Sequence, residues 1–287
     1  MTIAFLNDEF VPLEEARISP MDRGFLFGDG IYEVIPSYGG RLVGLSLHLA
    51  RLENGLSEIG IKIPWNRVQL TNIFTRLMDK NGNGNLGIYL QITRGITMKR
   101  NHAFPANSRP TLFVYTFDIP APVSGNPDKV THWKVMTRQD LRWRRCHLKS
   151  TSLLGNVLHM MEGINSGGGE ILLFDANNKL TEAAACNVFV VHNNEVNTPP
   201  LDQRKLAGVT RDMALQILRA HSSLRVHETQ ITKDEVLAAD EVWLSSSTKE
   251  LEPVVSIDGK PVGDGNPGPV WAQAQSLFDL HRFDHFE

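Results

Sequence analysis

The chain is short of cysteine, of net charge and of long apolar runs. Its two cysteines, Cys146 and Cys186, offer no disulfide framework and no Cys-x-x-Cys metal pair. A net charge of -3 and a pI of about 6.4 give no electrostatic footprint for nucleic acid or an anionic membrane. No apolar run approaches the ~20 residues that a transmembrane helix needs. The first residues, Met1 to Glu9, lack the basic-then-apolar layout of a signal peptide. These absences lead us to expect a cytoplasmic protein. Internal repeats and low-complexity tracts are missing too.

What is present suits a soluble globular protein: 287 residues, 41% hydrophobic and 21% charged. That length accommodates two domains with well-buried cores. Ile3 to Val11 is expected to form a short strand leading to a turn, and Phe27-Gly28-Asp29-Gly30 a tight turn. Ile31 to Tyr38 alternates and is expected to be a strand, with Gly39-Gly40 turning it into Arg41 to Val43. Ser46 can cap a helix whose apolar stripe is Leu49, Leu52, Leu56 and Ile59, with Arg51 off the stripe. A second helix is expected from about Asn66 to Lys80. Gly82 to Gly87 formally matches G-x-G-x-x-G, but a helix precedes it and a strand follows, the reverse of a nucleotide site.

Pro120 to Asp128 is the clearest linker, so we expect an N-terminal domain over 1–119, a linker over 120–129 and a second domain over 130–287. Beyond it, strands are expected at 130–137, 170–174, 185–192, 195–198, 224–228 and 241–245. The lysine stretch is expected to open a helix that runs to about Asn165, with further helices at 210–220, 233–238 and at the C-terminus to about Arg282. Strands and helices mix without regular βαβ alternation, which suggests two α/β domains with mixed sheets.

One stretch, Arg144 to Val157, organises the chemistry. Lys149 is expected at a strand-to-helix junction, just before Ser150, Thr151 and Ser152, which can cap a helix. A cation held against the positive end of a helix dipole is disfavoured, and the free amine can form a Schiff base with an aldehyde cofactor. Glu182 stands between two apolar runs, where a carboxylate can meet a buried ring nitrogen. Gly208-Val209-Thr210-Arg211 opens a helix whose first N–H groups can bind phosphate. Arg100 and His102, two apart in an extended segment, project to one side and can grip a carboxylate. Each of these has a bland reading: a surface lysine, a loop glutamate, an N-cap, a solvated basic loop.

Their order along the chain resembles the fold-type IV pyridoxal phosphate (PLP) enzymes, which include D-amino-acid transaminases, branched-chain transaminases and 4-amino-4-deoxychorismate lyases. The words that carry the resemblance are Asp22-Arg23-Gly24, Phe27 to Val34, Lys149-Ser150 with Leu153 to Asn156, Thr181-Glu182, Asn187-Val188-Phe189, Gly208 to Asp212 and Asp258 to Pro261. The match is nearest to D-amino-acid transaminases. It implies a mixed α/β, two-domain fold, with a smaller N-terminal α/β domain and a larger C-terminal pseudo-barrel domain.

By the same resemblance Lys149 anchors PLP and moves a proton, and Glu182 meets the pyridine nitrogen. Val209 and Thr210 hold the phosphate with Arg51 and a hydroxyl from Ser246, Ser247 or Thr248, of which Ser247 is preferred. Leu206 lies against the ring. Arg100 and His102 grip the substrate α-carboxylate with Tyr32, and Val34 walls the side-chain pocket. In the family the Arg and His reach in from the partner subunit, so a homodimer with active sites at the interface is implied. Relatives often carry serines where this chain has Ala183, Ala184 and Ala185. The expected reaction moves the amino group of a D-amino acid such as D-alanine to a 2-oxo acid such as 2-oxoglutarate by a ping-pong route. The alternatives are a 4-amino-4-deoxychorismate lyase, an (R)-selective amine transaminase or a branched-chain transaminase. A cofactor-free binding protein would have no need of Lys149.

Overall fold

The computed structural model of the chain describes residues 1–284 and residue 286. It divides into two compact units. The first is Met1–Ala121 with Leu148–Leu153 and Phe286; the second is Pro122–His147 with Leu154–Asp284. The segment that carries Lys149 thus belongs to the first unit, although it lies beyond the Pro-rich stretch.

The first unit holds β1 (Ile3–Leu6), β2 (Glu9–Pro12), α1 (Arg23–Phe27), β3 (Gly30–Tyr38), β4 (Arg41–Leu42), α2 (Leu45–Glu58), α3 (Arg67–Asn81), β5 (Asn85–Thr93) and β6 (Thr111–Asp118). Its sheet runs β2-β1-β6-β5-β3-β4, with every pair antiparallel. Alternation sorts the side chains. Ile31, Ile35, Ile88, Leu90, Ile92, Leu112 and Val114 are buried with Leu49, Leu52 and Leu56 of α2 and Leu70, Phe74 and Leu77 of α3. The residues between them carry an aromatic row: Tyr32, Tyr89, Tyr115 and Phe113 neighbour one another at ring-centroid distances of 5.7, 5.2 and 5.5 Å.

Two local expectations fail here. Residues 3–12 form a hairpin rather than one strand, because Asn7 adopts φ 57° and reverses the chain. Ser46 does not cap α2. The N-cap is Gly44, and the Ser46 hydroxyl instead donates to the Phe286 carbonyl at 2.8 Å. The short α1 has no apolar period to announce it. Asp22 caps it by accepting from Gly24 N, and Gly28 closes it at φ 65°, in the left-handed region that glycine adopts without strain.

The second unit holds β7 (Trp133–Gln139), α4 (Leu154–Asn165), β8 (Glu170–Phe174), β9 (Leu180–Ala183), β10 (Asn187–His192), β11 (Glu195–Thr198), α5 (Val209–His221), β12 (Arg225–Glu228), α6 (Lys233–Leu237), β13 (Glu241–Ser246), β14 (Glu250–Ile257), β15 (Lys260–Pro261) and α7 (Pro269–His281). The strand path is β12-β11-β10-β13-β14-β7-β8-β9, with β15 on β14. It is mixed: β11·β12, β14·β7 and β7·β8 are parallel and the rest antiparallel. Only Ala184, Ala185 and Cys186 join β9 to β10. The path from β10 round to β9 therefore starts and ends at one turn, and the sheet must curl into a half-barrel. Val135, Leu172, Leu180, Val188, Val190, Val242, Leu244 and Val254 pack into one core within this unit.

Candidate active site

Lys149 stands at no strand-to-helix junction. β7 ends at Gln139, α4 begins only at Leu154, and the loop between them lies along the start of β3. Tyr32 N donates to the Lys149 carbonyl at 3.0 Å, and Thr151 N donates to the Gly30 carbonyl at 3.0 Å. Ser150 makes a bridge to Ile31, and the Ser152 hydroxyl donates to the Gly28 carbonyl at 3.1 Å. The helix-dipole argument for a neutral amine therefore does not apply. What holds the lysine is strand pairing. Its half-buried Nζ lies 4.1 Å from the Tyr32 ring centroid, and among the described residues no carboxylate pairs with it.

On the other side of β3, Glu33 is fully buried. Arg51 Nε and Nη2 donate to its two oxygens at 2.7 Å each, and His48 Nδ1 lies 2.8 Å from Oε2. Burial acts to raise the Glu33 pKa, but Arg51 and His48 outweigh it and hold the carboxyl well below its usual range. Burial pushes His48 the other way, below the usual imidazole range, against the pull of Glu33. Neither Glu33 nor His48 was anticipated from the sequence. The signal was a charged residue at an inward register position, between Ile31 and Ile35.

Arg100 and His102 lie in a bent loop, not an extended strand, and both are exposed. They nevertheless meet the same ring: the Arg100 guanidinium is 5.1 Å from the Phe27 centroid and the His102 ring 5.4 Å. Tyr32 and Val34 are half-buried on the aromatic side of β3, Val34 opposite Tyr89.

In the second unit Glu182 is buried on β9, and three donors hold it. Arg142 Nη1 donates to Oε1 at 2.6 Å; Leu206 N and Asn187 Nδ2 donate to Oε2 at 3.0 and 3.3 Å. Arg142 is itself gripped by Asp140, with Nε and Nη2 at 3.0 and 2.8 Å from its oxygens, and Thr181 donates to Asp140 at 2.8 Å. Burial raises the Glu182 pKa and Arg142 lowers it; the outcome is about 7. A carboxylate offers about four acceptor positions, so one on Oε1 is left for a further donor.

Asn187 ties this acid to the start of α5. It donates to the Leu206 carbonyl at 2.9 Å, and a Cβ on Gly208 would lie 1.9 Å from its Oδ1, so no side chain fits there. Gly208 supplies no side-chain cap, and Val209 and Thr210 behind it are buried. The first N–H groups of α5 thus lack the usual side-chain acceptor, as a helix end that receives an anion requires. Asn187 also pairs with Ser245 across β10 and β13. Ser245 Oγ is buried with no hydrogen-bond partner. Ser246 ends β13, and Ser247 and Thr248 form the following turn. Of the alanines that stand where relatives have serines, Ala183 and Ala184 have their N–H groups engaged, by the Cys186 carbonyl and by Glu170 and the Ile171 carbonyl. Those backbone donors cannot replace a serine hydroxyl. Arg142 and Asp140 were not singled out from the sequence, and Asn187 stood only within a family word, with no role given to it.

Within the second unit, the acid with a spare acceptor position and the uncapped helix start suit the ring nitrogen and the phosphate of a phosphorylated pyridine aldehyde; within the first, the unpaired lysine suits its aldehyde. Comparison with known proteins agrees. The family model for class IV amino-transferases matches residues 30–257. The chain belongs to the class IV aminotransferases. It is thus a PLP enzyme. It is 37% identical over 270 residues to a D-alanine aminotransferase of Bacillus licheniformis, covering 94% of this chain and 93% of that one. It is 35% identical over 282 residues to a D-alanine aminotransferase of Staphylococcus haemolyticus, covering 98% of both. Among solved structures it superposes on the Escherichia coli branched-chain amino acid aminotransferase with a TM-score of 0.89, at 23% identity over 97% of this chain and 93% of that one. The branched-chain amino acid aminotransferase of Thermobaculum terrenum, solved in its PLP form, gives 0.86, at 20% identity over 98% and 94%. These two carry the fold-type IV architecture, which this chain shares.

Proposed function

We propose that the chain is a D-amino-acid transaminase that moves the amino group of a substrate such as D-alanine to a 2-oxo acid such as 2-oxoglutarate. The observation that carries this reading is near-full-length similarity to D-alanine aminotransferases, at 34–37% identity. The Arg100-Asn101-His102-Ala103-Phe104-Pro105 word, present in this chain, supports it.

Bound PLP supplies an electron sink for the bond broken at the substrate Cα. The residues do the rest. Lys149 would supply the amine that holds the cofactor, and its free amine would take up and return the proton at the substrate Cα. Glu182 takes the ring-nitrogen proton as a hydrogen bond and keeps it there. Val209, Thr210, Arg51 and a hydroxyl of Ser246 or Ser247 hold the phosphate, and Leu206 packs on the ring. Arg100, His102 and Tyr32 hold the substrate α-carboxylate, and Val34 bounds the side-chain pocket. This arrangement implies a homodimer in which the Arg100 loop serves the partner's site. A reducing, cytoplasmic compartment suits the two free cysteines. The test is an assay of D- against L-alanine with 2-oxoglutarate, beside 4-amino-4-deoxychorismate. Preference for the L-enantiomer, or turnover of the chorismate alone, would overturn the reading.

A further inference from the structure

Arg23 opens α1 and is buried at 2% exposure. Its Nε donates to Asp29 Oδ2 at 2.7 Å. The rest of the fork points at the backbone of the Arg100 loop. Nη1 donates to the Asn101 carbonyl at 2.6 Å and to the Ala103 carbonyl at 3.3 Å, and Nη2 donates to the His102 carbonyl at 3.2 Å.

A second arginine closes the cluster. Arg94 donates to both Asp29 oxygens, at 2.8 and 3.0 Å, and to the carbonyls of Ile59 and Gly60 at the end of α2. Its guanidinium also lies 3.6 Å from the centroid of Phe104 in the same loop. Asp29 therefore clamps two guanidinium groups, one on the loop's carbonyls and one under its aromatic ring.

The loop has no ladder of its own. The backbone bends at residues 102 and 103, residues 100–104 belong to no helix or strand, and their side chains are exposed. Consecutive carbonyls that turn toward one planar fork fix the path of the backbone, because the guanidinium donors have a set geometry. With the carbonyls turned inward, the side chains of Arg100 and His102 are left to the outside, where both reach the Phe27 ring.

We propose that Arg23 is a positioning residue for substrate binding: clamped by Asp29, it staples the 101–103 carbonyls and so aims Arg100 and His102. The inference rests on the reading of those two residues as the holders of the substrate carboxylate. Arg23 itself touches neither substrate nor cofactor. Misplacing a binding group by about 1 Å can cost on the order of 100-fold, so a loosened staple is felt in substrate binding while the chemistry at the cofactor is spared.

The experiment uses the holoenzyme. Arg23→Lys keeps a cation beside Asp29 and loses the fork. Phe104→Ala removes the ring over Arg94 at a residue 62% exposed, where folding is not at stake. Steady-state kinetics with D-alanine are measured for both, with the absorption spectrum of the bound cofactor. Expected is a rise in KM of roughly tenfold or more in each, with kcat within about twofold and the spectrum unchanged. An unchanged KM in both variants, or a fall in kcat with KM constant, overturns the proposal. Arg100→Ala runs alongside. If it raises KM and the other two do not, the staple alone is wrong. If Arg100→Ala leaves KM unchanged, the carboxylate reading fails and takes the staple with it.

Discussion

Glu33 holds Arg51 with both of its oxygens, each 2.7 Å from a different guanidinium nitrogen, in a position closed to solvent. The arginine expected to face a phosphate is thereby oriented before any phosphate arrives. His48 shares the carboxylate and, pushed below its usual range by burial, serves it as a neutral donor. The pairing holds the Arg51 guanidinium in one orientation rather than leaving it flexible.

Glu33→Gln should therefore act twice. It leaves Arg51 beside a buried amide, and breaking such a pair costs roughly 3–5 kcal/mol. It also lets Arg51 swing, so cofactor dissociation should quicken. Thermal unfolding of the holoenzyme, with PLP release followed by absorbance, measures both. Because the Glu33 pKa is depressed, its contribution is complete above the unfolded value of about 4.3 and is lost only as pH falls through the lower folded value. The difference between wild type and variant should thus stay constant from about pH 5 to 8.

Glu182 has the opposite sign. Burial raises its pKa from 4.5 to about 7, so the folded apoprotein binds a proton that the unfolded chain has released. Stability should fall as pH rises across that interval, by an amount on the order of 3 kcal/mol at about 1.4 kcal/mol per unit. Glu182→Gln should make the profile shallower, with Glu250, also raised to about 7 by burial, left to contribute over the same interval. Adding PLP to the wild type should make it shallower as well, because a protonated ring nitrogen favours the carboxylate. Apoprotein melting curves between pH 5 and 8 check this, and parallel profiles for wild type and Glu182→Gln would remove Glu182 as their source.

How much of this was legible depends on range. α2 and α3 showed themselves through apolar spacing, and Asn66 caps α3 as its side chain suggests. β14 escaped notice because Pro253, Glu250 and Glu252 break its strand pattern, and β9 because it is only Leu180–Ala183. The site shows the same division. Lys149, Glu182 and the Gly208 turn stand out as words in the chain. Arg142 and Asp140 do not, since their meaning lies in what the fold brings to Glu182. The lysine itself was noticed for a wrong physical reason: a helix start was assumed where the chain instead pairs with β3.

Lys149→Ala should abolish multiple turnover and still fold, because the loop is held by its backbone, through the Lys149 carbonyl and Thr151 N. Unfolding temperature should change little while activity disappears. Borohydride reduction of the wild-type holoenzyme, followed by peptide mapping, reports the residue that carries the cofactor. A pyridoxyl label on Lys205, which is buried and paired with Asp202 at 2.9 Å, or on any other lysine, would disprove the assignment.

Arg100→Ala decides whether the substrate is a D-amino acid held by its carboxylate. The guanidinium is exposed and rests 5.1 Å from the Phe27 centroid, so its removal should leave the fold intact. A hydrogen bond to a charged group contributes roughly 1.5–3 kcal/mol. At about 1.4 kcal/mol per tenfold, kcat/KM for D-alanine should fall by roughly 10- to 100-fold. The loss exceeds that range if the substrate carboxylate is left buried without a partner. Cofactor loading should be unaffected, because Arg100 is not among the residues proposed to hold the phosphate. The residue that holds the carboxylate also decides which face of the substrate meets Lys149, so the ratio of D- to L-alanine turnover should fall in the same variant. Kinetics of wild type and Arg100→Ala with D-alanine, L-alanine and an amine lacking a carboxylate separate the cases. Equal losses for all three substrates would mean that Arg100 supports the loop and not the carboxylate.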